Sequence, residues 1–249
     1  MRRRILIACL GLIGLVGIAA AGGYQWLKAE YHQPGDGLHK AAPAIVMLFA
    51  KGTSVRAIAE QLLSRGLIAD ADRFRIELRL FGGKKPLRAG EYEFPGAASA
   101  ADIVHILQEG EQVVHKLTLA EGLSVHDAAA LLRGIANLDG PLPDPLPPEG
   151  TLLPETYHYH HGVKRQDIML RMQGAMRDVL GRLWAERDRT VPLATPDQAL
   201  ILASIVEKET GVASERARVA AVFLNRLKKG MRLQSDPTVV YGLTAGKSA

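Results

Sequence analysis

The sequence contains a single cysteine, Cys9, among its 249 residues. One cysteine excludes an intramolecular disulfide framework and a zinc site built from several cysteines. Aromatic residues make up only 5%, and they are not interleaved with clusters of basic residues. We therefore expect no nucleic-acid partner, because binding to phosphates requires a concentrated basic surface. Apolar residues at 47% and charged residues at 23% also exclude an intrinsically disordered chain.

Charged residues are absent from Ile5 to Leu27, and three arginines come immediately before this run. As a helix the run would be roughly 34 Å long, enough to cross the ~30 Å hydrocarbon core of a bilayer. Basic residues favour the cytoplasmic side of a membrane. We therefore expect a single-pass anchor in the plasma (inner) membrane, with a cytoplasmic N-terminus and the residues after Lys28 outside the cytoplasm.

A cleaved signal peptide is the alternative, since Ala19-Ala20-Ala21 has the small-residue form of a cleavage site. The apolar run is long for a signal peptide, which favours the uncleaved anchor. In both cases the rest of the chain would work outside the cytoplasmic membrane. That location argues against ATP, NAD and cytosolic substrates.

Three strand–turn–helix segments follow one another between residues 44 and 135. Each helix begins after a serine that is suited to cap it, namely Ser54, Ser99 and Ser124. The segments differ in length, which indicates a compact α+β region and not a solenoid. The polar residues 29–43, before them, predict a short stalk.

Two of these segments share a pattern in which a glycine and a serine precede the helix, at Gly52 and Ser54 and again at Gly122 and Ser124. This pattern resembles the LysM peptidoglycan-binding domain, and the resemblance implies sugar binding. A spacer between the membrane and a second domain is the alternative, and the residues alone favour it.

A proline-rich segment follows, with five prolines between residues 139 and 149. Proline fixes φ and lacks the backbone N–H, so the segment cannot form a helix or a central strand. We predict a linker or an extended edge here, and a domain boundary at residue 139.

A helix is predicted to begin after Thr195. Thr195 is suited to the N-cap, Pro196 to the first helical position, and Gln198 to a capping box. The predicted helix runs to Glu209. Its apolar arc consists of Ile201, Leu202, Ile205 and Val206.

Two glutamates near the end of this helix face opposite ways. At about 100° per residue, Glu209 falls inside the apolar arc and Glu207 falls away from it. A carboxyl held against apolar side chains is favoured in its protonated form, as a general acid requires. The sequence therefore predicts Glu209 as a candidate acid and Glu207 as a solvated or ion-paired carboxylate. A plain ion pair between Glu209 and a neighbouring arginine is the alternative.

A second helix, opened by Ser214 and ended by Gly230, leads to a polar segment at residues 233–241. Hydrogen-bonding side chains crowd this segment beside an aromatic ring. They are Gln234, Ser235, Asp236, Thr238 and Tyr241. This composition suits a sugar site, where hydroxyls need donors and acceptors and a ring face needs stacking.

Several strings closely resemble motifs of the endolytic murein transglycosylase family, also called the YceG-like family. They include Ala-Ser-Ile-Val-Glu-Lys-Glu-Thr at 203–210 and Gly-Met-Arg-Leu-Gln-Ser-Asp-Pro-Thr-Val at 230–239. Further matches lie at 149–157, 213–216 and 219–227. The resemblance covers nearly the whole chain.

The resemblance implies a lytic transglycosylase that cleaves the β-1,4 bond between N-acetylmuramic acid and N-acetylglucosamine within peptidoglycan strands. The product would carry 1,6-anhydro ends, and the reaction could terminate nascent strands. The family's catalytic acid matches Glu209. Four further residues lie in matching motifs and are predicted to bind the substrate: Asn225, Gln234, Asp236 and Tyr241. No cofactor or metal is implied, and the expected partners are glycan strands, the cytoplasmic membrane and peptidoglycan synthases.

We therefore predict an α+β fold with an N-terminal transmembrane helix, a LysM-like small α+β subdomain and a mixed, helix-rich catalytic subdomain. The predicted boundaries are 1–28 for the cytoplasmic tip and anchor, 29–43 for the stalk, 44–138 for the LysM-like region and 139–249 for the catalytic domain.

One departure from the family concerns the C-terminal side. Family members continue past the segment around Tyr241 through a Gly-Leu-Pro-Pro-Gly-like stretch, and this sequence stops at Ala249. We expect the catalytic domain to be C-terminally incomplete. The alternative function is accordingly a non-catalytic peptidoglycan-binding or scaffold protein.

A histidine cluster, His158, His160 and His161, could bind a transition metal. No cysteine or carboxylate completes a recognisable ligand pattern. The favoured interpretation is a strand end with exposed imidazoles.

Overall fold

The computed structural model describes residues 2–34 and 43–247. By its internal contacts the chain divides into two compact units, Met1–Val113 and Val114–Ala249. The first is called unit 1 and the second unit 2.

Unit 1 begins with the long helix α1, Arg2–His32. Its part from Leu10 to His32 has a mean hydropathy of 1.4 and is long and apolar enough to cross a membrane. This agreement concerns length and composition alone. The anchor and its orientation therefore stay predictions.

The rest of unit 1 contains two strands and three helices: β1 (Ile45–Phe49), α2 (Val55–Ser64), α3 (Ala71–Phe81), β2 (Gly90–Phe94) and α4 (Ala100–Glu109). The two strands pair antiparallel, with Ile45 opposite Phe94 and Phe49 opposite Gly90. Side chains alternate along β1, so Met47 and Phe49 are buried while Val46 and Leu48 are exposed. The core between strands and helices includes Ile58, Leu62, Phe74, Tyr92, Ile103 and Leu107.

The C-terminal end of α1 packs into this core. Tyr31 is 5% exposed and its ring lies 5.4 Å from that of Phe81 on α3. Glu30 accepts a hydrogen bond of 3.2 Å from Arg73. The predicted stalk at 29–43 is therefore wrong in its first residues, because an aromatic residue within the polar run is buried. Its residues 35–42 lie outside the described part of the chain.

Unit 2 opens with short strands around helices: β3 (His115–Thr118), α5 (Val125–Gly134), β4 (Leu138–Asp139), β5 (Thr156–Tyr159), β6 (Val163–Lys164) and α6 (Arg165–Ala185). β3 pairs antiparallel with β5, and β4 pairs parallel with β6. The core includes Leu117, Leu132, Tyr157, Ile168 and Met172.

Three more helices complete unit 2: α7 (Pro196–Glu209), α8 (Arg216–Lys228) and α9 (Asp236–Thr244). A 3₁₀ turn, Ala213–Glu215, leads into α8. The buried residues of this part are Leu202, Ile205 and Val206 from α7 and Phe223 from α8.

The observed fold is mixed, helix-rich α+β, as predicted. The three predicted serine N-caps are confirmed, since each hydroxyl accepts from the backbone N–H three residues on. The third strand–turn–helix segment was wrongly grouped with the first two, because β3 pairs with β5 and α5 packs in the core of unit 2. The LysM-like subdomain and the domain boundary at residue 139 stay predictions. Units 1 and 2 are defined by internal contacts, and these contacts do not identify the function of either unit.

Candidate active site

Helix α7 begins as predicted, with a small difference in its cap. The Thr195 hydroxyl accepts a hydrogen bond of 3.2 Å from Gln198 N–H, and Pro196 occupies the first turn. The Gln198 side chain accepts from Ala194 N–H at 2.7 Å and not from Thr195 N–H. Side chains on both sides of the helix start, Thr195 before it and Gln198 within it, thus accept hydrogen bonds from backbone N–H groups. These two bonds stabilise the start of α7 and the direction in which it runs to Glu209.

The two glutamates at the end of α7 have different partners. Glu207 accepts a hydrogen bond of 3.0 Å from the Arg216 guanidinium, so of the two predicted alternatives, solvated or ion-paired, the structure has the ion pair. Glu209, the last residue of the helix, is exposed. The expectation that apolar side chains enclose Glu209 is therefore wrong.

Glu209 nevertheless has one defined contact. The Ser235 hydroxyl donates a hydrogen bond of 2.5 Å to Oε1 of Glu209. Ser235 is only 3% exposed, so a buried donor holds an exposed carboxyl. Oε1 of Glu209 is therefore the carboxyl oxygen that accepts a hydrogen bond from the protein.

The loop from α8 to α9 delivers Ser235 to this position. The Arg226 guanidinium donates to the Leu233 carbonyl oxygen, and Met231 N–H donates to the Arg226 carbonyl at 2.9 Å. Gln234 then adopts a left-handed conformation with φ of 53°. A left-handed residue other than glycine is strained, so the surrounding contacts must hold this turn.

The four predicted binding residues differ in how close the chain brings them to Glu209. Gln234 and Asp236 flank Ser235 and are exposed beside the carboxyl's partner. Asn225 is exposed near the end of α8, and Tyr241 is 49% exposed on α9. Within residues 43–247 no hydrogen bond joins any of the four side chains to Glu209.

The model of the YceG-like family matches residues 48–249 of this sequence. The chain belongs to the YceG-like family. This match confirms the resemblance seen in the sequence motifs.

Two relatives of this YceG-like chain are named endolytic murein transglycosylase. The protein of Bacillus subtilis (strain 168) is 28% identical over 227 residues, covering 79% of this chain and 62% of the relative. The protein of Streptococcus pneumoniae (strain ATCC BAA-255 / R6) is 24% identical over 283 residues, covering 96% of this chain and 50% of the relative. The chain thus spans between half and two thirds of the length of these relatives.

The crystal structure of a YceG-like protein from Listeria monocytogenes is also similar. The sequence identity is 26% and the TM-score 0.42, over 83% of this chain and 77% of that chain.

Sequence reasoning included Ser235 in the polar segment but did not predict it as the partner of Glu209, and it missed the role of Glu149. Both carboxylate oxygens of Glu149 accept from Val125 N–H, at 3.1 and 3.0 Å, at the start of α5. A negative charge there is favoured by the positive end of the helix dipole. Glu149 lies in the motif at 149–157, and that motif was the available indication of its role.

A cavity of about 690 Å³ lies beside Glu149 in unit 2. Its wall includes His126, Arg133, Asp144 and several residues of the proline-rich segment. The segment predicted as a linker therefore forms part of a concave surface in this YceG-like chain.

Proposed function

We propose that this chain is an endolytic peptidoglycan lytic transglycosylase, with Glu209 as its acid. The observation that carries the proposal is the arrangement at the end of α7. An exposed carboxyl, within reach of a polymer, is held on one oxygen by the buried Ser235 and flanked by the polar Gln234 and Asp236. Family membership and the names of the relatives support the same class of reaction.

In the proposed reaction a single carboxyl serves twice. Glu209 donates its proton to the oxygen between N-acetylmuramic acid and N-acetylglucosamine, and the bond from that oxygen to the anomeric carbon breaks. The resulting carboxylate then accepts the proton of the muramic acid 6-hydroxyl, whose oxygen attacks the same carbon. The product is a 1,6-anhydro end, and no water is consumed.

This mechanism requires one carboxyl, because the nucleophile is supplied by the substrate. Glycosidases that use water or a covalent intermediate need two carboxyls at a defined separation. Here the neighbouring Glu207 is engaged by Arg216. Of the two glutamates at the end of α7, Glu209 is thus the one that no arginine engages within the described residues, and we assign the proton transfer to it.

We further propose that α1 anchors the chain in the plasma membrane, with the N-terminus in the cytoplasm and units 1 and 2 outside it. The length and hydropathy of α1 support the anchor, and the three N-terminal arginines support the orientation. Glycan strands would then be the substrate. The part of the LysM-like region that lies in unit 1, residues 44–113, would be a further binding region, and peptidoglycan synthases would be the neighbours at the membrane.

The test uses the full chain in detergent with purified peptidoglycan, and the products are read by mass spectrometry. We expect new 1,6-anhydro ends from the wild type and a loss of more than about 100-fold in Glu209→Gln, since general acid catalysis contributes that much or more. Glu207→Gln is the matched control. It changes a carboxyl two residues away that lies outside the proposed chemistry, so anhydro ends should still form.

The alternative of a non-catalytic peptidoglycan-binding protein gives a different result in the same assay. The folded wild type would sediment with peptidoglycan and form no anhydro ends. That outcome would refute the enzymatic proposal.

A further inference from the structure

The hydroxyl of Ser235 is directed away from the helix that this residue begins. Ser235 is the N-cap of α9, yet its side chain makes no capping hydrogen bond. The other serine and threonine N-caps of the described helices all accept from the N–H three residues on: Ser54, Ser99, Ser124 and Thr195. At Ser235 the hydroxyl instead donates to Glu209 at 2.5 Å.

The residues after Ser235 compensate α9 for the missing side-chain cap. Losing a side-chain cap costs about 1 kcal/mol. Asp236 in the first turn is favoured by the helix dipole. The N–H three residues on, that of Thr238, donates at 3.1 Å to the Ser235 carbonyl oxygen and so does not depend on the Ser235 hydroxyl. The third residue of the helix is Thr238, whereas at Ser99 and Ser124 it is an aspartate that accepts from the serine hydroxyl. The Ser235 hydroxyl is therefore left to donate elsewhere.

The donor is fixed more firmly than the acceptor. Ser235 is 3% exposed, and its carbonyl accepts from the Thr238 hydroxyl at 2.6 Å. Glu209 is exposed at the end of its helix. A hydrogen bond from a fixed donor limits the rotamers of an exposed glutamate, and so decides where its free oxygen points.

We infer that Ser235 is a positioning residue for Glu209, and this inference rests on the proposed function. Ser235 holds Oε1, which leaves Oε2 as the oxygen that carries the proton to the glycosidic oxygen. After the transfer the same hydrogen bond stabilises the carboxylate that has formed. The Ser235 hydroxyl keeps its own proton throughout.

The test compares Ser235→Ala, Ser235→Thr and wild type on glycan strands of defined length. We expect Ser235→Ala to lower kcat on the order of 10- to 100-fold, the size of a lost hydrogen bond to a charged group. KM should be nearly unchanged, because the bond acts on the acid and not on substrate binding. Ser235→Thr retains a hydroxyl at the same position and should recover most of kcat.

Thr238→Ala is the matched control for the fold of the turn. It removes a hydrogen bond to the Ser235 carbonyl but leaves the bond from Ser235 to Glu209. A merely structural role of Ser235 predicts equal losses of kcat in Thr238→Ala and Ser235→Ala. The positioning role predicts a much smaller loss in Thr238→Ala.

A thermal double-mutant cycle with Ser235→Ala and Glu209→Ala tests the contact without relying on activity. The double variant should unfold at a higher temperature than the two single shifts together predict, because both single variants break the same bond.

The outcomes separate the two proposals. Full kcat in Ser235→Ala, with an active wild type, overturns the positioning role and leaves the proposed function intact. Additive shifts in the cycle also overturn the positioning role. A folded wild type that forms no anhydro ends overturns the proposed function, and the positioning role falls with it.

Discussion

Glu77 of α3 is a buried acid, with 2% of its surface exposed. Burial raises the pKa of Glu77, since desolvation disfavours the carboxylate, and the negative charges of Glu30 and Asp70 raise it further. Arg73, whose Nε lies 3.7 Å from Glu77 Oε1, lowers it. Desolvation is the largest of these effects, so the pKa of Glu77 in the folded chain lies above its usual value.

Because the pKa of Glu77 is higher in the folded than in the unfolded chain, its contribution to stability is full below the unfolded pKa. That contribution is lost as pH rises toward the folded pKa, by about 1.4 kcal/mol per pH unit between the two values. We expect Glu77→Gln to remove this part of the pH dependence. The check is the thermal midpoint of the full chain in detergent from pH 4 to 8, followed by circular dichroism.

Glu60→Gln is the control for Glu77→Gln. Glu60 forms an exposed i,i+4 ion pair with Arg56, and such pairs contribute little. Its midpoints should follow the wild type at every pH. A Glu77→Gln curve parallel to the wild type would contradict the assignment.

The residue scale also shows what helical arithmetic can and cannot predict. The 100° rule correctly placed Glu207 away from Leu202, Ile205 and Val206, which are buried. It also placed Glu209 on their side, but it cannot tell whether another element covers that position at the end of a helix. Ser235, the partner of Glu209, lies 26 residues further along the chain. A contact over such a distance leaves no periodic pattern in one sequence.

At the scale of elements, Arg165 ties α5 to α6. Its guanidinium donates to three backbone carbonyl oxygens, those of Leu132 at 2.8 Å, Ile135 at 2.7 Å and Gly140 at 2.9 Å. The first two lie at the end of α5, where carbonyls lack helical partners. One planar side chain therefore terminates α5 and fixes the start of the proline-rich segment.

We expect Arg165→Lys to lower the free energy of unfolding by about 1 to 3 kcal/mol, because an ammonium group cannot reach three carbonyls in the fork geometry of arginine. Chemical denaturation of the full chain measures this change. Arg171→Lys is the matched control on the same helix, since Arg171 donates a single bond of 2.9 Å to the His158 carbonyl. Equal losses in the two variants would contradict the role given to Arg165.

Local and distant features of the elements differ in how well the sequence predicts them. Ser54, Ser99 and Ser124 each act within their own turn, so their capping could be predicted. The pairing of β3 with β5 places Leu117 opposite Tyr157 across a long intervening segment. No residue in β3 indicates that partner, and the third strand–turn–helix segment was assigned to the wrong neighbours for this reason.

At the scale of the whole molecule, α1 is longer than a bilayer requires. Its 31 residues correspond to roughly 46 Å of helix, against a hydrocarbon core of ~30 Å. The surplus of about ten residues matches the C-terminal part of α1 that contacts the rest of unit 1. Tyr24 lies edge-on to Phe81 with ring centroids 5.3 Å apart, and Tyr31 is buried.

We expect Tyr31→Ala to loosen the end of α1 from unit 1, because truncation of a buried aromatic ring costs about 3 to 5 kcal/mol. Trypsin should then cleave after Lys28 several times faster than in the wild type. A time course in detergent, resolved by gel electrophoresis, measures the rate. Tyr24→Ala is the control, since Tyr24 is 46% exposed and contributes less packing. Unchanged cleavage in Tyr31→Ala would show that the packing of Tyr31 does not hold the helix.

The burial of Tyr31 has a mechanical consequence for a membrane-anchored chain. A flexible tether would absorb a pull on unit 1 by extending. Here the end of α1 packs into the core of unit 1, and its Glu30 accepts a hydrogen bond from Arg73 of α3. With α1 embedded as proposed, a force applied to unit 1 by a glycan strand would be transmitted through α1 to the bilayer with little extension of the chain. Unit 1 would also diffuse laterally together with α1.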